Sequence, residues 1–207
     1  MGCFGLTESE GGSDPSMMKT RAFDRGNHWE LNGSKMWITN GNLADIAVVW
    51  AQTDKGIRGF LVRTNSEGFK AIKIKNKLSM RASNTSELYF DKVKLEKDAL
   101  LPKTEGLKSA LTCLNQARYS IVWGVLGVAE SCFDEACRFV QDRTLFGGPL
   151  AEKQLIQRKL AVMLGNITQG QLLAQRLGEL KESGKIHFTQ VSLGKQSNSK
   201  MALDVAR

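Results

Sequence analysis

The apolar and polar positions of this chain change period once, near residue 102. Before that point, short apolar or β-favouring runs occur at 2–7, 17–23, 28–31, 34–39, 46–52, 57–63, 69–74 and 86–95. Turn residues separate them: Asn32-Gly33, which reads as a hairpin signal, Asn40-Gly41, Asp54-Lys55-Gly56 and Ser66-Glu67-Gly68. Many short strands at close spacing predict an antiparallel sandwich or barrel. Residues 46–50 are apolar on both faces, so that strand reads as central. Leu88, Phe90, Val93 and Leu95 alternate except for a slip at Asp91-Lys92, which predicts a β-bulge.

Pro102 and Gly106 close this region, and from Leu107 the period becomes helical. Leu107, Leu111, Leu114, Ile121, Val125, Val128, Cys132, Ala136, Phe139 and Val140 recur at three- and four-residue steps, one stripe running to about residue 142. Such a helix is roughly 50 Å long and needs long neighbours, which predicts a bundle. Phe146-Gly147-Gly148-Pro149 breaks it, a second helix is predicted from about 152 to 182, and a third from near 188 to the last residue. The predicted fold is α+β: an antiparallel β-barrel or sandwich at 1–102, then part of a helical bundle at 103–207. The third helix has no cap or breaker at its end and reads as cut off.

Composition changes this picture little. At 42% hydrophobic and 24% charged over 207 residues, the chain suits a soluble globular protein of one or two domains. No apolar run reaches the roughly 18 residues that a membrane span needs. Met1 leads straight into a strand-like run, so no cleavable signal is expected. The four cysteines and two histidines show no metal spacing, so no metal site is expected, and the cysteines read as reduced thiols of an intracellular protein. The net charge of +8 is spread among acidic residues and accompanies no nucleic-acid motif. A phosphate-bearing cofactor or thioester is enough to account for part of it.

The candidate chemistry begins at the N-terminus. In Cys3-Phe4-Gly5-Leu6-Thr7-Glu8-Ser9-Glu10-Gly11-Gly12-Ser13-Asp14, an apolar run breaks into glycines and hydroxyls. Glycines let a backbone approach a flat or charged ligand, and Thr7 and Ser13 can donate and accept. Gly-Ser-Asp alone is also an ordinary turn. Trp37-Ile38-Thr39, on the strand after Asn32-Gly33, offers an aromatic wall and a hydroxyl; alone, Trp37 is equally a half-buried strand aromatic.

Taken together, these stretches resemble the flavin-binding segment of the acyl-CoA dehydrogenase family. The likeness continues through residues 32–40 and Arg81-Ala82-Ser83. Residues 113–119, 123–127 and 142–147 are most similar to the glutaryl-CoA dehydrogenase branch. The resemblance implies FAD as cofactor, with Phe4, Leu6, Thr7, Gly12 and Ser13 on one side of the isoalloxazine and Trp37, Ile38 and Thr39 on the other. It implies an acyl-CoA thioester near Ser13, Asn115 and Arg118; a salt bridge within the bundle is the structural alternative for Arg118. Arg143, Phe146 and Gln154 would reach the FAD of a second copy in a homo-oligomer, a dimer or tetramer, although Arg143 also suits a cap or a surface ion pair. Arg81-Ala82-Ser83 reads as a turn supporting the site.

The same resemblance implies α,β-dehydrogenation of glutaryl-CoA with decarboxylation to crotonyl-CoA, in lysine and tryptophan degradation. Electron-transfer flavoprotein would be the acceptor. The location would be the mitochondrial matrix in a eukaryote and the cytoplasm in a bacterium. No catalytic residue is assigned within the chain. The family's general-base Glu is expected downstream of Arg207, and its alternative position before Arg118 holds Ala117. The chain is therefore expected to be a fragment, inactive alone. A non-catalytic assembly module, another short-chain dehydrogenase and an acyl-CoA oxidase are the competing readings.

Overall fold

A computed structural model describes residues 1–207, which divide into two compact units, Met1–Thr112 and Cys113–Arg207. The first carries β1 (Gly2–Gly5), β2 (Arg21–Asp24), β3 (Trp29–Thr39), β4 (Ile46–Thr53), β5 (Gly56–Arg63), β6 (Phe69–Lys73) and β7 (Thr85–Leu95) in one sheet. Most pairings are antiparallel, as the short spacing predicts. The sheet is nonetheless mixed, because β4 pairs in parallel with β1 along Ile46–Val49 and with β2 at Gln52. β4 is central, as its two apolar faces predict: β5 covers one edge along its whole length, and β1 and β2 share the other. Leu31, Ala47, Val49, Phe60, Val62, Leu88 and Val93 are fully buried in one core cluster.

Two expectations fail in an instructive way. Asn32-Gly33 is no hairpin; it lies inside β3, and the turn joining β2 to β3 runs through Gly26, at φ +85°. Gly33 serves close approach instead, since a Cβ there would lie 2.6 Å from Thr20, whose hydroxyl donates to the Ser34 carbonyl. The run at 17–23 is a 3-10 turn (Pro15–Met17), a loop, and only then β2. The bulge at Asp91-Lys92 is present: Lys92 has φ +50°, the β3–β7 register slips there, and Asn32 Oδ1 accepts the Lys92 N–H at 2.9 Å.

The helices are α1 (Gly106–Asp142), α2 (Gln154–Glu182) and α3 (Phe188–Ala206), close to the predicted spans. A two-residue hairpin, β8 (Thr144–Leu145) with β9 (Gly148–Pro149), follows α1 and turns at Phe146-Gly147, both at positive φ. Within the second unit, Val122, Leu126, Ala174 and Leu177 form one core cluster and Ala129, Ile167, Ala202 and Val205 another. The buried face of α1 is thus set by Val122, Leu126 and Ala129, not by the whole predicted stripe; Ile121, Val128 and Phe139 are exposed. The helix is apolar over more than one face, and periodicity alone does not say which face packs. Buried Asn198 pins the three helices: its Nδ2 donates to the Val122 carbonyl at 3.0 Å and the Gly170 carbonyl at 3.2 Å. No helix is long and apolar enough to cross a membrane.

Candidate functional site

In the sheet unit, the chain between β1 and β2 builds the candidate site. β1 leaves β4 after Gly5, and β2 joins only at Gln52. The intervening residues form a lobe tied at both ends by one carboxylate. Glu8 accepts the backbone N–H groups of Lys19 at 2.6 Å and Thr20 at 3.1 Å, and Gly11 N–H closes a tight turn onto the Glu8 carbonyl at 3.2 Å. Beneath it lies Lys35, 1% exposed, whose ammonium donates to Glu8 Oε1 at 2.8 Å and to the Leu6 carbonyl at 3.0 Å.

The two segments singled out in the sequence meet here. Met36 N–H donates to the Thr7 carbonyl at 2.8 Å, so the residue before Trp37 is joined directly to the Thr7 turn. Trp37 then leaves the strand in an unusual way. Leu31, Gly33 and Lys35 share one phase of β3, and Trp37 would follow inward. A bulge intervenes: Lys35 pairs with Leu88 and Ile38 with Ser86, so two residues of β3 face one of β7. The phase flips, Ile38 enters the core at 3% exposure, and Trp37 turns out at 53%. Trp37 has φ +62°, a left-handed conformation rare for a bulky residue and a mark of stored strain at functional positions.

The remaining residues sort by what they leave available. Leu6 is buried at 6% exposure and Ile38 at 3%, so neither side chain is open to a ligand. Phe4 packs against the Trp50 ring, centroids 6.2 Å apart. Thr39, at the end of β3, and Gly12 and Ser13, on the lobe, are exposed, and a Cβ at Gly12 would meet nothing within 4 Å. Ser13 makes no hydrogen bond to Thr7 or Trp37. The Arg81-Ala82-Ser83 turn is drawn together by Lys77, which donates to the Met80 carbonyl at 2.9 Å, the Ser83 carbonyl at 2.5 Å and Thr85 Oγ1 at 2.8 Å. Sequence reasoning missed Glu8, Lys35 and Lys77. A lysine two residues before a tryptophan, on a strand otherwise read as half-buried, was the available signal for Lys35.

A flat ring system with an electron-rich edge fits the sheet-unit residues. The Thr7 N–H makes no hydrogen bond within the chain, its hydroxyl makes none either, and Trp37, one residue past the Met36 that bonds Thr7, stands out on a left-handed backbone. A free backbone donor next to an exposed aromatic plane is what an electron-rich heterocycle edge requires.

In the helical unit, Arg118 is partly buried and makes no ion pair; Asn115 Oδ1, one turn earlier, accepts from its Nη1 at 3.2 Å. The bundle salt bridge considered from sequence does not form. Arg143, the hairpin-tip Phe146 at 90% exposure, and Gln154 at the start of α2 are all exposed, and Arg143 has no carboxylate partner.

Comparison with known proteins agrees over both units. Residues 3–93 match the acyl-CoA dehydrogenase middle domain and 104–207 the acyl-CoA dehydrogenase C-terminal domain. The chain is 36% identical to the glutaryl-CoA dehydrogenase of Desulfococcus multivorans, over 90% of this chain and 50% of that protein. It is equally 36% identical to the human mitochondrial short-chain specific acyl-CoA dehydrogenase, over 100% of this chain and 52% of that protein. A glutaryl-CoA dehydrogenase from Mycobacterium smegmatis, solved in complex with FADH2, superposes with a TM-score of 0.97 at 52% identity, covering 100% of this chain and 54% of that one. The chain spans about half the length of the relatives it matches.

Proposed function

Because the chain belongs to the acyl-CoA dehydrogenase family, we propose that it supplies flavin-facing and thioester-facing parts of a FAD-dependent dehydrogenase acting on a short acyl-CoA, most closely glutaryl-CoA. One observation carries this: the Met36–Thr7 hydrogen bond that sets a free backbone donor beside a strained, outward tryptophan. FAD, when bound, accepts the hydride from the substrate β carbon. The chain's own residues hold and shield the ring. Thr7 N–H would meet its electron-rich edge, Trp37 would exclude water from one face, and the Thr39 and Ser13 hydroxyls, with the open backbone at Gly12, would complete the contact.

In the helical unit, Asn115 holds the Arg118 guanidinium for the CoA thioester. Arg143, Phe146 and Gln154 are assigned to the FAD of a second copy, where an unpaired Arg fork suits a pyrophosphate. The exposed apolar faces of the helices support a homo-oligomer, and electron-transfer flavoprotein is the proposed acceptor. The location is the mitochondrial matrix or the bacterial cytoplasm. Glutaryl-CoA, with decarboxylation, is favoured over a simple short-chain substrate by the 52% identity to the mycobacterial enzyme. No carboxylate of this chain is assigned as base, since Ala117 stands before Arg118, and the 207 residues alone are expected not to turn over acyl-CoA.

FAD titration of the purified chain tests the reading. Saturable quenching of flavin fluorescence is expected. Trp37→Gly should abolish most of that quenching while leaving the chain folded, since glycine takes the left-handed conformation freely. Absence of saturable flavin binding by the unaltered chain overturns the proposal.

A further inference from the structure

The flavin reading assigns work to Thr7 N–H but leaves open what aims it. The geometry points to Lys35 as a positioning residue that fixes the direction of the Leu6–Thr7 peptide, and so of the donor presented to the ring. This inference rests on the flavin reading above.

A trans peptide is planar, and its carbonyl and N–H point in opposite directions. Lys35 Nζ takes the Leu6 carbonyl at 3.0 Å. The Thr7 N–H of the same peptide must then point away from Lys35, and it meets nothing within the chain. The next peptide is held likewise, because the Thr7 carbonyl accepts Met36 N–H at 2.8 Å. Two successive peptides are therefore oriented from below by β3, one by a side chain and one by the backbone.

Lys35 is itself immobilised. Its ammonium donates a second N–H to Glu8 Oε1 at 2.8 Å, and Met18 Sδ lies 3.9 Å away. Its stem passes under Gly5, where a Cβ would sit 3.3 Å from Lys35 Cγ, so glycine there leaves the lysine its path. The side chain of Lys35 is wholly inaccessible and that of Glu8 is 9% exposed. Burying an ion pair is expensive, and an apolar pair of equal volume commonly packs such a place better. What an apolar pair lacks is direction. A β-strand end that stops pairing at Gly5 has no ladder to orient its next peptide, and an ammonium below it does.

The test compares the 207-residue chain with Lys35→Met and with the double variant Glu8→Gln/Lys35→Met, which leaves no unpaired buried carboxylate and keeps the test open should the single variant not fold. Folding is checked by circular dichroism. FAD affinity, the bound-flavin absorption spectrum and the flavin midpoint potential are measured, together with the amide shifts and exchange rates of Thr7 and Met36 in the flavin-free chain. The folded variants are expected to bind FAD about tenfold more weakly, the scale of one misdirected hydrogen bond. The midpoint potential should move to more negative values, and the Thr7 amide should shift. Unchanged affinity, spectrum and potential in a folded variant overturn the inference while leaving the flavin reading intact. If the unaltered chain binds no flavin, the flavin reading falls, and the amides decide: unaltered Thr7 and Met36 signals in the variant refute the positioning role.

Discussion

The two units of this molecule solve burial differently. The sheet unit completes its core from its own residues: Leu31, Val49, Phe60, Val62, Leu88 and Val93 are fully buried. Its buried ion pair, Glu8 with Lys35, lies in one corner, close in sequence to the left-handed Trp37. The helical unit buries small clusters centred on Val122 and Ala129 and leaves Leu155, Val162, Leu172, Phe139 and Leu193 exposed along its helices. Scattered exposed apolar residues are normal, but a series along every helix of one unit is what the proposed homo-oligomer would require. The contrast separates a unit with one large core cluster from a unit with small clusters and uncovered apolar helix faces.

The largest test of that contrast is a core truncation. Phe60, fully buried and packed edge-on to Trp29 at 5.3 Å, should cost about 3–5 kcal/mol as Phe60→Ala, read as a fall in the denaturant midpoint. A loss near zero would mean that the sheet core is not self-sufficient.

Acid should come next and should act through the sheet unit's charged corner. Burial alone raises the Glu8 pKa, but hydrogen bonds from Lys35, Thr20 and Lys19 outweigh it and leave the carboxyl below its ordinary 4.5. A folded pKa below the unfolded one contributes stability that is complete above the ordinary value and lost as pH falls through the folded value. Lys35 works the other way: burial lowers its pKa, Glu8 offsets only part, and that penalty is relieved only as pH climbs toward the usual lysine range. Unfolding curves taken between about pH 6 and pH 3 should weaken steadily, and Glu8→Gln should flatten the trend. A variant with the same slope as the unaltered chain would remove Glu8 from the account.

The smallest stability effect belongs to the helical surface. Leu172→Ser, at a position 62% exposed, should change stability by no more than about 0.5 kcal/mol. Its effect should instead appear in light scattering, as less self-association. A substantial loss of stability, with association unchanged, would show that the helical unit's exposed face is not a contact surface.

Much of this was legible in the residues. The change of period near 102, the three helices, central β4 and the bulge at Asp91-Lys92 all follow from local patterns, because burial imprints a period of two or 3.6 on any element that packs one face. The hairpin read at Asn32-Gly33 was lost because a glycine admits two uses, a turn or a close approach, and only Thr20 lying against it decides between them. The packed face of α1 was lost for a similar reason, since Val122 and Ile121 are equally apolar and differ only in which meets α2 and α3.

By itself, then, the sequence determined the elements, their approximate ends and the family-like stretches around Thr7 and Trp37. Local periodicity and short motifs carry that information through neighbours in the chain. Only the tertiary structure decided that β1 pairs in parallel with β4, that a bulge turns Trp37 outward in place of Ile38, and that Lys35 lies under the Leu6 carbonyl. Those outcomes depend on contacts between residues 29 or more positions apart. At that separation no periodicity remains, and what selects the arrangement is the need to satisfy every buried donor, acceptor and charge at once.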